Sequence, residues 1–351
     1  MRSSKKMINA IDLFCGAGGL SYGLQQAGVN VVAGVDIDSD CEYVYGRNIK
    51  APFLLKDIRE ITVEDINNLY PKNGYRLLAG CAPCQPFSKH RRGEDTTEDE
   101  KWTLLDEFGR IVLGVMPDFV TMENVPGIVS TVVFKRFTQQ LIKLGYHVSY
   151  KSCFCPEYGL PQNRRRLVLL ASKLGEVHVP EGTFKAGTYK TVRKIIEDIP
   201  PIKSGKESAE DPLHKSLGLS DVNLSRIKAS KPGGTWRDWP VDLLADCHKR
   251  KSGSSFQSVY GRMHWDEPSP TITTQFYNFG TGRYGHPTQH RALSLREGAM
   301  LQGFPKKYVF IEPGKKVYFN TIGRLIGNAV PPPLGKAIGN EITRHILKNK
   351  I

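Results

Sequence analysis

The chain has 351 residues, 40% hydrophobic and 24% charged, the profile of a globular protein too long for one small core and read here as two domains. Forty-nine Lys and Arg against 35 Asp and Glu give a formal charge of +14, which suits a polyanionic partner because phosphates attract such a surface whatever their sequence. The absence of an eighteen-residue apolar run argues against a membrane helix, and seven scattered cysteines with no secretion signal argue against a disulfide framework and for reduced thiols in cytoplasm.

The first two-fifths of the chain alternates short apolar runs with helical periods. "NAIDLF" (9–14) predicts a strand, and "GAGGLSYGLQQAG" predicts a glycine turn opening into a helix that Gly28 ends. "VNVVAGVD" (29–36) and "APFLLKD" (51–57) predict the next two strands, each ending on an acid. "YRLLAG" (75–80) predicts a fourth, delivering Cys81 and Cys84 at its end. Leu104, Leu105, Phe108, Ile111, Val112 and Val115 share a helical period, and "DFVTMENV" (118–125) predicts a fifth strand. This rhythm predicts a parallel sheet with helices on its faces. After a helix over roughly 131–144, "YHVSYKSCF" and "RRRLVLLAS" predict two strands whose connection is too short for a crossover helix, hence an antiparallel pair at the sheet edge. From about Lys185 to Phe319 the rhythm fails among prolines and glycines, predicting a loop-rich second domain. Leu334, Ile338, Ile342 and Ile346 then mark one face of a final helix. The expected division is 1–185 with 320–351, and 186–319.

In an open parallel sheet, ligands sit beyond the carboxyl ends of the strands. There the sequence places Gly16, Gly18 and Gly19, then Asp36, then Asp57. Glycines permit close backbone approach, and an acid ending the second strand can accept both hydroxyls of a ribose. A nucleoside cofactor fits, either a dinucleotide or S-adenosylmethionine. "CGAGGLSYG" lacks the full dinucleotide glycine spacing and no Walker lysine follows, so the phosphate reading is the weaker one.

The pair Cys81 and Cys84 has three readings: a metal or redox pair, two inert thiols, or one nucleophile beside a bystander. Cys153 and Cys155, spaced for opposite faces of a strand, do not complete a zinc site, and no metal is expected. For the nucleophile reading, Cys84 and Glu123 follow neighbouring strand ends, and Arg164 and Arg166 alternate at the start of the seventh strand. Positive charge there would favour a thiolate, and Glu123 would serve as a hydrogen-bond donor.

The blocks "DLFCGAGG" (12–19), "GCAPCQPFS" (80–88), "MENVPG" (122–127), "YGLPQNRRR" (158–166), "RMHWDEPSPTITT" (262–274), "REGAMLQGFP" (296–305) and "LIGNAVPPPLGKAI" (325–338) resemble, in order, the motifs of the cytosine-C5 DNA methyltransferases. The resemblance runs along nearly the whole chain. It implies an α/β fold with a Rossmann-like class I methyltransferase sheet, mostly parallel with an antiparallel edge hairpin, plus a smaller loop-rich target-recognition domain. It implies methyl transfer from S-adenosyl-L-methionine to C5 of a flipped-out cytosine in double-stranded DNA, with Cys84 as nucleophile at C6 and Cys81 as bystander. Glu123 is then expected to hold the N3 and amino edge, Asn124 to brace the cysteine loop, Arg166 to reach O2, Arg164 to support the loop, and Gln162 to stand behind them. The implied cofactor contacts are Phe14, the turn Gly16, Ala17, Gly18 and Gly19, then Asp36, Ile37, Asp57, Ile58, Leu104, Asn328 and Ala329. Ile37 departs from the family, whose members often carry an aromatic residue there.

The resemblance further implies base flipping, since a stacked cytosine cannot reach Cys84. The charged stretch 89–101, basic then acidic, is expected to close on DNA as a mobile loop, its basic half toward phosphates. Ser88, Arg91, Arg92, Gln257, Arg262, Gln275, Asn278 and Arg283 are the expected DNA contacts, from polar, glycine-rich segments suited to a groove. A bacterial cytoplasmic monomer is expected, and its compact size fits a companion restriction endonuclease acting on the same site. The alternatives are a transfer-RNA cytosine methyltransferase, a nucleotide-dependent oxidoreductase that has no use for Cys84, and a catalytically silent DNA-binding protein. Ser88 and the absence of a Cys-Phe-Thr triplet favour DNA over transfer RNA.

Overall fold

The structure is a computed structural model and describes residues 6–83, 103–250, 253 and 258–349. The chain separates into two compact units: Met1–Tyr158 with Arg165–Thr183 and Val330–Ile351, and Gly159–Arg164 with Phe184–Ala329. Residues 159–164 and 320–329, expected in the first domain, cluster with the second unit.

Seven strands form the sheet of the first unit: β1 Ile8–Leu13, β2 Asn30–Asp36, β3 Phe53–Leu55, β4 Tyr75–Gly80, β5 Phe119–Asn124, β6 His147–Phe154 and β7 Arg165–Ser172. Their order is β3-β2-β1-β4-β5-β7-β6. The pairs β1–β2, β1–β4, β2–β3 and β4–β5 run parallel, while β7 lies antiparallel to both β5 and β6. The chain leaves β1 in one direction to reach β2 and β3 and returns on its other side to reach β4, so the switch point lies between β1 and β4. This is the expected sheet with its antiparallel edge pair. β3 is shorter than the 51–57 expectation because Asp57 leaves the ladder to cap a 3-10 turn at Ile58–Glu60.

The sequence explains the elements locally. All six residues of β1 are buried, as in a parallel strand covered on both faces. Five helices of this unit are α1 Gly19–Gln26, α2 Asp40–Ile49, α3 Val63–Leu69, α4 Thr103–Val115 and α5 Val132–Lys143. Thr62 and Asp65 make a capping box at the start of α3, and Thr131 caps α5. Leu105, Phe108, Ile111, Val112 and Val115 of α4 enter the same core as Ile11, Leu78, Val120 and Leu169 of the sheet. The final helix, Pro332–Lys348, crosses α1 so closely that a Cβ on Gly23 would stand 2.3 Å from the Pro332 carbonyl oxygen.

The second unit is held differently. Its helices include Asp221–Ala229, Leu295–Leu301 and Phe319–Asn328, and only isolated β-bridges occur among its described residues. A small core gathers Ile227, Trp236, Trp239, Phe279 and Ala292. Without extended ladders, buried loop carbonyls need side-chain donors, and arginines supply many of them. Arg262 is 1% exposed and donates to the carbonyls of Ile227, His286 and Gln289 at 2.7 to 3.1 Å. Arg291, fully buried, makes two 2.7 Å bonds to the Glu297 carboxylate.

Candidate active site

At the carboxyl end of β1 the chain turns through Phe14 (φ 59°), Gly16 (φ 51°) and Gly18 (φ 83°) before α1 begins. A left-handed φ on a bulky aromatic is uncommon and marks a conformation imposed by its surroundings. The turn is strapped down by Cys15 N–H donating to the Val35 carbonyl (3.1 Å) and Gly16 N–H donating to Asp36 Oδ2 (2.8 Å). Among the described residues nothing lies within 4 Å of a Cβ built on Gly16, so they leave this side of the turn open. Asp36 Oδ1 accepts from the Asp38 N–H (3.0 Å), which orients the carboxylate at the end of β2. Ile37, next to it, is 65% exposed. Asp57 accepts the Arg59 backbone N–H (2.9 Å) and pairs with the Arg59 guanidinium (2.6 Å), which holds its carboxyl below the usual range. Ile58 and Leu104 pack on the core cluster, Leu104 only partly buried.

Asp12, the fourth acid here, was not among the expected site residues. It is 1% exposed; Ser21 Oγ donates to its Oδ2 (2.6 Å), and Tyr45 hydroxyl lies 2.9 Å from the same Ser21 oxygen. Oδ1 has no hydrogen-bond partner among the described residues. Burial pushes its carboxyl up from 3.8 to about 7, against the Ser21 bond that lowers it. A lone acid inside "AIDLF" was the only signal for it.

Beyond β4 and β5 a second group forms within the same unit. Glu123 (3% exposed) stands one residue before the end of β5, beside Arg166 of β7, whose Nε is 2.9 Å from Oε1. That approach lacks hydrogen-bond geometry, and Oε1 has no hydrogen-bond partner among the described residues. Oε2 accepts from the Cys81 thiol at 3.1 Å. Asn124 Nδ2 donates to the Ala82 carbonyl (3.0 Å), two residues before Cys84, and its Oδ1 accepts from Val125 N–H (2.8 Å). Burial and then the Glu123 carboxylate push the Cys81 thiol well above the ordinary thiol range. Such a thiol is a poor nucleophile. Cys84, Ser88, Arg91, Arg92, Gln257 and the charged stretch 89–101 lie outside the described residues.

In the second unit Gln162 and Arg164 are buried in one polar knot. Gln162 donates to the Leu301 carbonyl (3.1 Å) and to Gln302 Oε1 (2.8 Å), and accepts from Ile272 N–H (3.0 Å). Arg164 donates to the carbonyls of Ile272 (3.0 Å) and Gly327 (3.3 Å), and Gln302 to that of Ala329 (2.7 Å). Gln302 was missed because its motif, "LQGFP", carries no chemical signature. Asn328 is exposed at the end of its helix, and Ala329 is buried.

Of the expected DNA contacts, Arg262 is the clear correction: its guanidinium is enclosed in carbonyls and has no surface to offer a groove. Arg283 is half-buried, with Nη1 donating to the carbonyls of Gly233, Gly234 and Arg262. Asn278 caps the turn Phe279–Thr281, and Gln275 is exposed. Gln275, Asn278 and Tyr277 line an open cleft of about 580 Å³ with Tyr318 and Asn320. Among the described residues no helix is long and apolar enough to cross a membrane, and no cluster of His, Cys, Asp or Glu could hold a metal ion.

Residues 8–344 match a family model described as C-5 cytosine-specific DNA methylase. A type II methylase from Herpetosiphon aurantiacus, M.HgiDII, is 48% identical over 96% of this chain and 95% of its own length. A type II methyltransferase from Haemophilus parahaemolyticus, M1.HphI, is 32% identical over 95% and 86%. Among solved structures, a DNA modification methyltransferase encoded within an E. coli prophage aligns with TM-score 0.76 at 21% identity, covering 97% of this chain and 99% of that one. The Dnmt2 methyltransferase of S. pombe aligns with TM-score 0.59 at 18% identity, covering 99% and 100%. At these identities the structural likeness is one of fold.

Proposed function

We infer the chemistry of the site from what the chain is: it belongs to the C-5 cytosine-specific DNA methylase family and is a DNA (cytosine-5)-methyltransferase of the bacterial type II kind. S-adenosyl-L-methionine, when bound, supplies the methyl group. The residues present fit it: Asp36 for the ribose hydroxyls, the open turn at Gly16 with Ala17, Gly18 and Gly19 for backbone approach, and Phe14, Ile37, Asp57, Ile58 and Leu104 around the adenine side. Asn328 and Ala329 are further proposed contacts.

The observation that carries the catalytic reading is Glu123 Oε1. A buried carboxyl oxygen without a hydrogen-bond partner among the described residues, where buried polar atoms are normally paired, is suited to receive a ligand donor or to deliver a proton. The target cytosine is flipped out of the duplex, and Glu123 holds its N3 and amino edge. The Cys84 thiolate forms a bond to C6, electron density moves through C5 to N3, and the Glu123 carboxyl gives N3 a proton that neutralises the charge there. C5 takes the methyl group, which leaves S-adenosylhomocysteine; the N3 proton returns to Glu123, and loss of the C5 proton with expulsion of the Cys84 thiolate restores the aromatic ring. Arg166 has two roles here, countering the Glu123 charge and reaching O2 of the base, while Asn124 fixes the backbone that leads to Cys84. Gln162 and Arg164 shape the second unit rather than touch the base.

The proposed partner is double-stranded DNA, read by Gln275, Asn278 and the free edge of Arg283, with Ser88, Arg91, Arg92 and Gln257 as further contacts. A companion restriction endonuclease, a monomeric state and a cytoplasmic location belong to the same proposal. The test is transfer of labelled methyl groups into mixed-sequence duplex DNA followed by bisulfite sequencing, with wild type and Cys84→Ser side by side. Methylation at C5 of one short motif, lost in the variant, is the expected result. Undiminished transfer by Cys84→Ser would overturn the assignment of the nucleophile, and transfer only to RNA would overturn the substrate.

A further inference from the structure

Cys81 entered as the bystander of a cysteine pair, yet its thiol is the group that donates to the carboxyl of Glu123. Its place is fixed from both sides. Cys81 follows the last residue of β4, and its backbone N–H donates to the Leu13 carbonyl at the end of β1 (3.3 Å). Glu123 is fixed in turn by the β5–β7 ladder, opposite Val168. A glutamate carboxyl can rotate about its last bond and exchange its two oxygens at little cost. Here the exchange is broken by the sulfur, which takes Oε2, while Oε1 faces Arg166 Nε at 2.9 Å without a hydrogen bond.

We propose that Cys81 is a positioning residue for the methyl-transfer reaction: its S–H anchors Glu123 Oε2 so that Oε1 is the oxygen presented to the flipped cytosine. The proposal rests on the reading of Glu123 as the group that holds the base. A thiol suits the task because it supplies one weak donor and little competing acceptor strength. Burial beside a carboxylate keeps that donor protonated through the neutral range. Serine would supply a stronger donor on a shorter arm, and alanine none.

The experiment uses the full-length enzyme and steady-state methyl transfer to duplex DNA, with Cys81→Ala, Cys81→Ser, Glu123→Gln and the double variant Cys81→Ala/Glu123→Gln. Cys81→Ala should lower kcat roughly five- to ten-fold, the rate equivalent of one modest hydrogen bond. KM for DNA and for S-adenosylmethionine should stay within about two-fold, since the lost contact matters to orientation rather than ground-state binding. Cys81→Ser should recover most of the rate. In the Glu123→Gln background, Cys81→Ala should add nothing, because the carboxyl it orients is gone. Thermal melting and calorimetric binding of S-adenosylmethionine report whether each variant is folded. Wild-type kcat in a folded Cys81→Ala, with Glu123→Gln impaired, would overturn the proposal, as would losses that multiply in the double variant. Wild-type kcat in Glu123→Gln would instead overturn the reading of the site itself.

Discussion

Asp12→Asn tests whether the acid beneath the glycine turn is neutral in the folded enzyme. The side chain is 1% exposed, and its carboxyl is raised from 3.8 to about 7 because burial disfavours the charge. The folded state therefore holds the proton to higher pH than the unfolded chain. The stability this group contributes is full below about pH 4 and is lost as pH rises to about 7. A rise from 3.8 to about 7 corresponds to about 4 kcal/mol lost across that interval, at about 1.4 kcal/mol per pH unit. Asparagine keeps an oxygen to accept the 2.6 Å bond from Ser21 Oγ and carries no charge. The variant should lack this slope and at pH 8 should be more stable than wild type by up to about 4 kcal/mol. Urea unfolding at pH 5, 6, 7 and 8, on both proteins in parallel, measures the difference. Equal slopes for the two proteins, or a variant less stable at pH 8, would refute the argument. The carboxyl lies beneath the turn proposed to take the cofactor, and the stabilised variant should therefore also bind S-adenosylmethionine more weakly.

Asp36→Asn should raise the calorimetric Kd for S-adenosylmethionine roughly ten- to a hundred-fold, the range for a charged acceptor of two hydroxyls, with melting unchanged by more than a few degrees. Arg291→Met strands the Glu297 carboxylate and should cost about 3–5 kcal/mol, read as a lowered melting temperature. Arg291, foremost among the favourable charges, helps hold Glu297 down from 4.5 to about 2; stability from this pair is present above about pH 4.5 and is lost as pH falls through about 2. Arg262→Met should lower stability by roughly 2–4 kcal/mol through its orphaned carbonyls, while the sequence pattern of whatever methylation remains stays that of wild type.

Much of the first unit was legible because each of its elements carries a local signal. The period of Leu105, Phe108, Ile111, Val112 and Val115 is the face that α4 buries, and Asp36 and Glu123 stand at or next to the carboxyl ends of β2 and β5 as the strand patterns predicted. Glycines at 16 and 18 announced a turn that only a positive φ can make. The Cys81–Glu123 bond was not legible, because it joins residues 42 positions apart through a thiol that any core would accept as filler. Asp12 was hidden for a similar reason: whether an acid inside an apolar strand is charged depends on what covers it.

The second unit misled in a more instructive way. An arginine among glycines and aromatics has the same sequence appearance whether it reaches into a groove or folds inward. What decides is the supply of unpaired carbonyls, and a unit built from loops has many. Arg164, Arg262, Arg291 and Arg296 are all buried there, holding carbonyls or carboxylates of their own chain. Part of the +14 charge that first pointed to a polyanion is thus internal. The sequence-reading groups proposed for this unit must come from side chains that these networks leave at the surface, and Gln275, exposed and lining a cleft with Tyr318, meets that condition where Arg262 does not. On the proposed reading of this unit, substitutions at the buried arginines should act on stability and those at Gln275 on the choice of site.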